Sequence, residues 1–225
     1  TDDAEPVFSA TGFLKMEWRD AGYPGLVLPF SPGYLNSRSS ARSCENAWSQ
    51  GETDYVYNYT GGNTSVTVQK TSAHAAILVQ DDVIISSTTL NDIASTWEST
   101  IYPTDTSYFG NPPDVDNNCQ IEIFLIDIDS FGGIGGYFSP GISSVRESVF
   151  VDVADMSWRN TILAHEFEHL LHNSRDPFEY QWIDEGAADM AAYLSFGVTS
   201  MLTGHANAWS QDSSLSVRWW NDRGA

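Results

Sequence analysis

The chain has few cations for its length. Its 225 residues include 10 Lys and Arg against 30 Asp and Glu, which gives a net charge of −20, and only Lys15 and Lys70 are lysines. Binding to nucleic acid or to an anionic lipid surface relies on Lys and Arg to neutralise phosphates. The charge therefore disfavours both partners, and it is equally compatible with adaptation to a saline habitat.

Long apolar runs are also missing. A membrane-spanning helix needs about 18 or more apolar residues in succession, and the most apolar stretch, residues 121–128, is interrupted by Glu122 and Asp127. We therefore expect no membrane insertion. With 41% apolar and 13% aromatic residues, the chain is instead able to bury a sizeable core.

Cysteine is scarce as well. Cys44 and Cys119 form one candidate pair, whose spacing is compatible with a disulfide bond but does not predict one. A single pair in a chain with few lysines fits an oxidising compartment. Two glycosylation-type triplets, at residues 58–60 and 63–65, point weakly the same way. We expect a secreted or cell-surface protein.

The first part of the chain predicts strands. Residues 8–19 mix apolar and polar side chains without a helical period, and we interpret them as strand and loop. Gly61-Gly62-Asn63 is a turn signal. Alternating or continuously apolar segments predict strands at residues 55–59, 65–69, 75–85, 120–128 and 148–153.

Helical spacing begins near residue 87. Apolar residues then recur every three or four positions and predict an amphipathic helix that ends before Pro103. The last third predicts three more helices, at residues 158–173, 184–196 and 200–209.

This order of elements favours an α+β fold. We expect an N-terminal mixed β-sheet with a backing helix, followed by a helical part, because strands come first and helices later. We expect one catalytic domain over residues 1–225, mainly β at residues 1–157 and helical at residues 158–225.

The segment His165-Glu166-Phe167-Glu168-His169 carries the strongest chemical signal. It is an HExxH motif inside a predicted helix, and ~0.005 matches are expected by chance in a chain of this composition. Residues four apart share a helix face. His165 and His169 are therefore able to bind one Zn²⁺ while Glu166 reaches a water beside it. The simpler alternative is an exposed polar helix face.

A third metal ligand must come from further along the chain. The metzincin continuation fails, because His172 and Arg175 stand where that motif has glycine and histidine. The next predicted helix offers Glu185 as a metal ligand, and Asp189, one turn later, as the acceptor for the free N–H of a ligating imidazole. Alternatively, these acids merely complement a helix dipole. His172 suits a helix C-terminus, and we assign it no metal.

The pattern resembles the gluzincin metallopeptidases and, more narrowly, the hyicolysin-like family. The similarity covers roughly residues 75–195 and does not place residues 1–74. Glu168 and Asp184 depart from the Gln and Asn expected there. The matching segments are Thr161-Ile162-Leu163-Ala164-His165-Glu166-Phe167-Glu168-His169, Trp182-Ile183-Asp184-Glu185-Gly186, Ile101-Tyr102-Pro103, residues 114–118 and Gly136-Tyr137-Phe138.

The resemblance implies a zincin-like fold and a zinc-dependent endopeptidase that acts on proteins or peptides. Glu166 is then the general base, and we expect a monomer. Two other interpretations stay open: a zinc hydrolase of non-peptide amides or esters, and a surface binding or adhesion module on a degenerate protease fold. The presence of Glu166 argues against the degenerate module, since a structural metal site does not need it.

Such a reaction also needs a donor for the developing oxyanion. The candidates are His205, Tyr193, Tyr180 and Tyr137. We favour His205, because its position after the ligand helix allows it to fold back over the site.

Two further segments have ambiguous patterns. Asp114, Asp116 and Asn118 alternate as calcium ligands do, but an Asx-rich turn before a strand has the same composition. The glycine-rich residues 131–138 lack the features of a phosphate loop. They fit either a cleft rim to which a peptide adds as a strand or a plain tight turn.

Overall fold

A mixed β-sheet organises the chain. The computed structural model describes residues 8–22, 44–58, 62–129 and 133–210. Seven strands in these residues form one sheet in the order β1-β6-β7-β5-β4-β3-β2. They are β1 Phe8–Ser9, β2 Thr53–Tyr57, β3 Asn63–Thr71, β4 Ala75–Gln80, β5 Ile121–Ile126, β6 Ile134–Phe138 and β7 Ser148–Asp152.

Strand direction changes across the sheet. The central strands β4, β5 and β7 run parallel, whereas β2, β3 and β4 pair antiparallel, as do β6 and β7. Every residue of β5 is buried, as expected for a central strand covered on both faces. The mixed sheet and the five strands predicted from residue 55 onward are confirmed with different bounds: β2 begins and ends two residues earlier than predicted, β3 is longer, and β4, β5 and β7 are shorter.

Helices pack on both faces of this sheet. They are α1 Thr11–Asp20, α2 Ser87–Thr96, α3 Tyr102–Phe109, α4 Pro140–Ser143, α5 Arg159–Asn173, α6 Gln181–Phe196 and α7 Ser200–Ser210. Leu14 of α1 and Ile142 of α4 pack on one face, and the other helices cover the opposite face. Trp97 of the α2–α3 segment and Phe167 of α5 join the core on that face, with ring centroids 4.8 Å apart. Tyr137 and Phe150 belong to the core on the face of α1 and α4.

The predicted helix end before Pro103 is wrong. A π-helical turn, Trp97–Ile101, leads from α2 directly into α3. Pro103 lies in the first turn of α3, where its missing N–H would have had no partner within the helix. The proline therefore continues the helical segment to Phe109.

The strand-and-loop interpretation of residues 8–19 is mostly wrong. Only Phe8–Ser9 is a strand, and α1 follows it. The start of α1 has no side-chain cap and no acidic residue in its first turn, so the usual sequence signals for a helix start are missing. Tertiary contacts described below hold this helix.

The glycine-rich segment is not a plain turn. Residues 130–132 lie outside the described part, and Ile134–Phe138 is strand β6. A Cβ at Gly136 would lie 2.6 Å from Ile162 Cγ2 and from the Phe150 carbonyl oxygen. Glycine thus allows α5 to pack directly against β6.

A disulfide bond joins Cys44 to Cys119. It connects the segment before β2 to the segment before β5, and it fits the expected oxidising compartment. Within the described residues, no helix combines the length and the apolar character needed to cross a membrane.

Candidate active site

Helix α5 carries the HExxH residues on its buried side. Its apolar residues pack against the sheet, and the same packing buries His165, Glu166 and His169 to 2% exposure or less. An exposed polar helix face, the alternative interpretation, does not describe these side chains.

Helix α6 brings Glu185 to the two histidines. The Nε2 atoms of His165 and His169 lie 3.2 Å apart, and Glu185 Oε2 lies 3.4 Å from the first and 3.6 Å from the second. Donors bound at 2.0–2.1 Å to one tetrahedral Zn²⁺ lie about 3.3 Å apart. The three donor atoms therefore have the chemistry and the spacing of a zinc ligand set.

Two aspartates contact the other nitrogens of these imidazoles. Asp189 Oδ1 lies 3.1 Å from His165 Nδ1, the arrangement that the sequence suggests for Asp189. Asp184 Oδ2 lies 3.2 Å from His169 Nδ1, and sequence reasoning missed this role. The sequence signal that could have indicated this role is the position of Asp184 directly before the candidate ligand Glu185. Each carboxylate is placed to fix the orientation of one imidazole.

The site has a strongly negative local field. Burial alone would lower the pKa of His169, but the charges of Asp184 and Glu185 outweigh it and raise this pKa to about 10. Burial would raise the pKa of Glu185, but His169 and His165 lower it to about 2. The carboxylates thus favour positive charge at this point, and a bound cation would displace the imidazole protons.

Glu166 has a partner from the start of the chain. The Thr11 hydroxyl donates to Glu166 Oε2 at 2.8 Å and accepts from the Phe138 backbone N–H at 2.8 Å. Thr11 is fully buried. Nothing in the sequence signals this contact, because the two side chains are 155 residues apart.

Lys15 is a second contribution of α1 that the sequence did not signal. Its Nζ lies 2.6 Å from Asp184 Oδ1, and the Asp184 side chain is 1% exposed. The ammonium group and His169 hold the pKa of Asp184 below its usual range despite the opposing effect of burial. One of the two lysines thus stabilises an ionised carboxylate beside the site.

The candidate oxyanion donors differ in position. His205, together with His165 and Glu166, lines a small cleft, and its Nδ1 lies 3.0 Å from Asp189 Oδ1. Tyr137 stacks on Phe150 on the opposite face of the sheet, which removes it from the site. Tyr180 and Tyr193 are exposed. Only His205 of this group lines the cleft.

His172 belongs to a neighbouring cluster. Its Nδ1 lies 3.2 Å from Glu168 Oε1 and 3.9 Å from Asp184 Oδ1. The partner is thus one turn earlier on the same helix. The Nδ1 atom of His172 thus pairs with a carboxylate, and not with the backbone carbonyl groups at the end of the helix.

The candidate calcium residues are only partly brought together. Carboxylate oxygens of Asp114 and Asp116 group with one from Glu147, all within 4.8 Å of one another. The side-chain oxygen of Asn118 is not part of this group. Asn118 donates from Nδ2 to Asp116, and its Oδ1 accepts the Gln120 N–H. Glu147 thus lies where Asn118 was expected. Because Glu147 is far from the two aspartates in the sequence, their local pattern did not indicate it.

These features are compatible with a metalloprotease: a mixed sheet with covering helices, and two histidines and a carboxylate converging on one point. No protein-family model matches the chain. The chain is similar to the neutral metalloprotease ShpI of Staphylococcus hyicus. The alignment is 223 positions long, with 26% identity, and it covers 82% of this chain and 50% of that protein. It therefore spans half the length of that relative. The likeness supports a metalloprotease at this general level.

Proposed function

We propose that this protein is a secreted, zinc-dependent endopeptidase of the hyicolysin-like, gluzincin type, with a zincin-like catalytic domain that acts as a monomer. The observation that carries the proposal is the triangle of donor atoms from His165, His169 and Glu185, with Glu166 next to it on the same buried helix. The similarity to a neutral metalloprotease supports a peptide substrate, and the disulfide bond supports secretion.

Each residue of the site has a role in this reaction. His165, His169 and Glu185 would hold Zn²⁺, which when bound would supply Lewis-acid chemistry, lowering the pKa of a water and polarising the scissile carbonyl. Glu166 takes the proton from the attacking water as general base and later delivers it to the leaving amine.

The supporting residues orient these groups. Asp189 and Asp184 lie 3.1 Å and 3.2 Å from the Nδ1 atoms of His165 and His169, and their charges favour a proton on each Nδ1, which leaves the Nε2 atoms for the metal. His205, held by Asp189 at the edge of the cleft, stabilises the developing oxyanion.

Metal analysis paired with a proteolysis assay tests this function. Glu166→Gln should retain stoichiometric zinc but cleave an unfolded protein substrate about 10²–10⁴ times more slowly, because the base is removed and the ligands are kept. The matched control is Glu179→Gln at a partly exposed position outside the site. Equal turnover by Glu166→Gln and wild type would refute the assigned base. Zinc binding without turnover in the wild type would instead favour a binding module.

A further inference from the structure

A second group of carboxylates, one buried and two half-buried, lies away from the candidate active site. Asp114 and Asp116 belong to the segment before β5, and Glu147 directly precedes β7. One carboxylate oxygen from each lies within 4.8 Å of the other two. We propose that Asp114, Asp116 and Glu147 bind a structural calcium ion.

Glu147 supplies the observation that points to a ligand. The residue is 1% exposed. Its Oε1 accepts the Val115 N–H at 2.7 Å, while its buried Oε2 has no hydrogen-bond partner among the described residues. Leaving a buried carboxylate oxygen unpaired is costly. A cation between Glu147 and the two aspartates removes that cost.

Electrostatics around Glu147 also favour a cation. Burial raises its pKa to about 8, and the charges of Asp116 and Asp114 add to the effect. The neighbouring Arg146 pairs with Glu122 and with Asp54 Oδ2, the latter at 2.7 Å. Its charge lowers the pKa of Asp116, but burial and the charge of Asp114 outweigh it and raise that pKa.

The donor set selects calcium. All three ligands are carboxylates, which hard cations prefer. Ca²⁺ accepts several protein carboxylates in a flexible geometry, whereas Mg²⁺ demands a near-ideal octahedron and usually retains several waters. A set of three protein carboxylates therefore suits calcium better than magnesium.

Calcium at this position would join two parts of the fold. The Asp114 carboxylate also accepts the N–H of Cys119, which is disulfide-bonded to Cys44. The Glu147 carbonyl accepts the N–H of Glu122 in β5. The ion thus fastens the disulfide-linked segment to the beginnings of two central strands, and its role is stability.

Titration of calcium chloride into the full chain, freed of calcium by EGTA and dialysis, tests this site. We expect saturable binding by calorimetry and a Tm increase of about 5 °C or more at saturating calcium. Glu147→Gln and Asp116→Asn should each lose most of both effects. The control Glu45→Gln removes an exposed charge near the disulfide, outside the cluster, and should keep them.

Three results would overturn the calcium site. They are no saturable binding by the wild type, an unchanged calcium response in both cluster variants, or equal affinity for magnesium chloride. Zinc content and proteolysis are not readouts of this experiment, so it remains valid if the proposed peptidase function fails.

The first described strand covers the β6 edge of the sheet. Strand β1 pairs in parallel with β6, and the Ala10 N–H continues the pairing to the Gly136 carbonyl at 3.2 Å. Without β1, the β6 edge would be open in the described sheet. The chain's own residues 8–10 therefore occupy an edge to which a peptide could add as a strand.

This segment also reaches the chemistry. Ser9 lines the small cleft together with His165, Glu166 and His205, and the Thr11 hydroxyl occupies one carboxylate oxygen of Glu166. We infer that residues 8–11 act as an intramolecular inhibitor, a role that rests on the proposed peptidase function. Substrate must displace this segment before it can meet Glu166.

Two full-length variants test the inhibitory role. Ala10→Pro removes the N–H that binds Gly136, and Thr11→Val removes the hydroxyl that binds Glu166. With zinc content equal to that of the wild type, each should lower KM several-fold for an unfolded protein substrate. Ala10→Pro, which leaves the Thr11–Glu166 hydrogen bond in place, should do so without lowering kcat. Thr53→Val, at an exposed strand position, is the control.

The outcomes separate the two ideas. Unchanged KM in both variants, or a lower kcat at constant KM, overturns the inhibitory role and leaves the peptidase function standing. Absence of proteolysis by the wild type and by both variants overturns the peptidase function itself.

Discussion

Glu185 illustrates how much depends on a single side chain. It is the only carboxylate in the donor triangle with His165 and His169, and its negative charge partly neutralises the metal. We expect Glu185→Ala to reduce bound zinc from near one equivalent to less than a tenth, because two imidazoles leave the ligand set incomplete.

Metal content measured by mass spectrometry after dialysis checks this expectation. Glu179→Ala, a partly exposed acid in the loop before α6, is the control and should keep its zinc. A fully metallated Glu185→Ala protein would mean that another acid is the third ligand.

Asp105 is a second residue whose environment has a measurable consequence. It is fully buried in α3, with Ser195 of α6 and Glu168 of α5 facing it. Burial raises its pKa from 3.8 to about 8, and the hydrogen bond from Ser195 only partly opposes this. The folded protein thus retains a proton that the unfolded chain releases near pH 4.

The free energy of unfolding should therefore fall as the pH rises from about 4 to about 8. Asp105→Asn should weaken this dependence and stabilise the protein at pH 8 by ~1–3 kcal/mol. Urea unfolding at pH 5 and pH 8 measures both effects, with exposed Asp82→Asn as the control. The same pH dependence in wild type and Asp105→Asn would contradict the assignment.

At the level of elements, the contact between β6 and α5 positions the catalytic helix. Gly136 has no Cβ where Ile162 and the Phe150 carbonyl approach. Gly136→Ala should destabilise the fold by ~1–3 kcal/mol, because neither a buried side chain nor strand backbone moves away cheaply.

Thermal and urea unfolding test the Gly136 contact. Gly62→Ala is the matched control, since nothing lies within 4 Å of a Cβ at that position. Equal stability of Gly136→Ala and wild type would show that α5 shifts freely against the strand.

The helices also show which local signals were readable. The buried face of α5 follows from spacing, because apolar residues recur there with the period of a helix. Helix α6 was also predicted, but it begins at Gln181, three residues before the predicted start. Helix α1 was missed, because its start lacks a cap and an acidic first turn. Its stability comes from Thr11 and Lys15, whose partners lie about 155 and 169 residues away.

At the level of the whole molecule, the net charge of −20 should affect substrate choice. An acidic surface attracts cationic peptides and repels anionic ones over roughly a Debye length, about 10 Å at 0.1 M salt. We expect kcat/KM for a lysine-rich peptide to exceed that for a glutamate-rich peptide of equal length severalfold at low salt.

Added salt should reduce this preference, since it screens the surface charge. The measurement is kcat/KM for both peptides at 20 mM and 500 mM sodium chloride, with an uncharged peptide as the control. Equal values for the two charged peptides at low salt would show that the surface charge does not reach the cleft.

The sequence by itself determined the candidate residues at the centre of the site and most of the strands and helices that carry them. HExxH on one helix and Glu185 on the next are local patterns, and helix geometry places their side chains predictably. Tertiary structure decided which distant residues complete the site: Thr11 on Glu166, Lys15 on Asp184, and Glu147 in place of Asn118 beside the disulfide. These contacts arise from the packing of elements far apart in the chain, and no local periodicity encodes them.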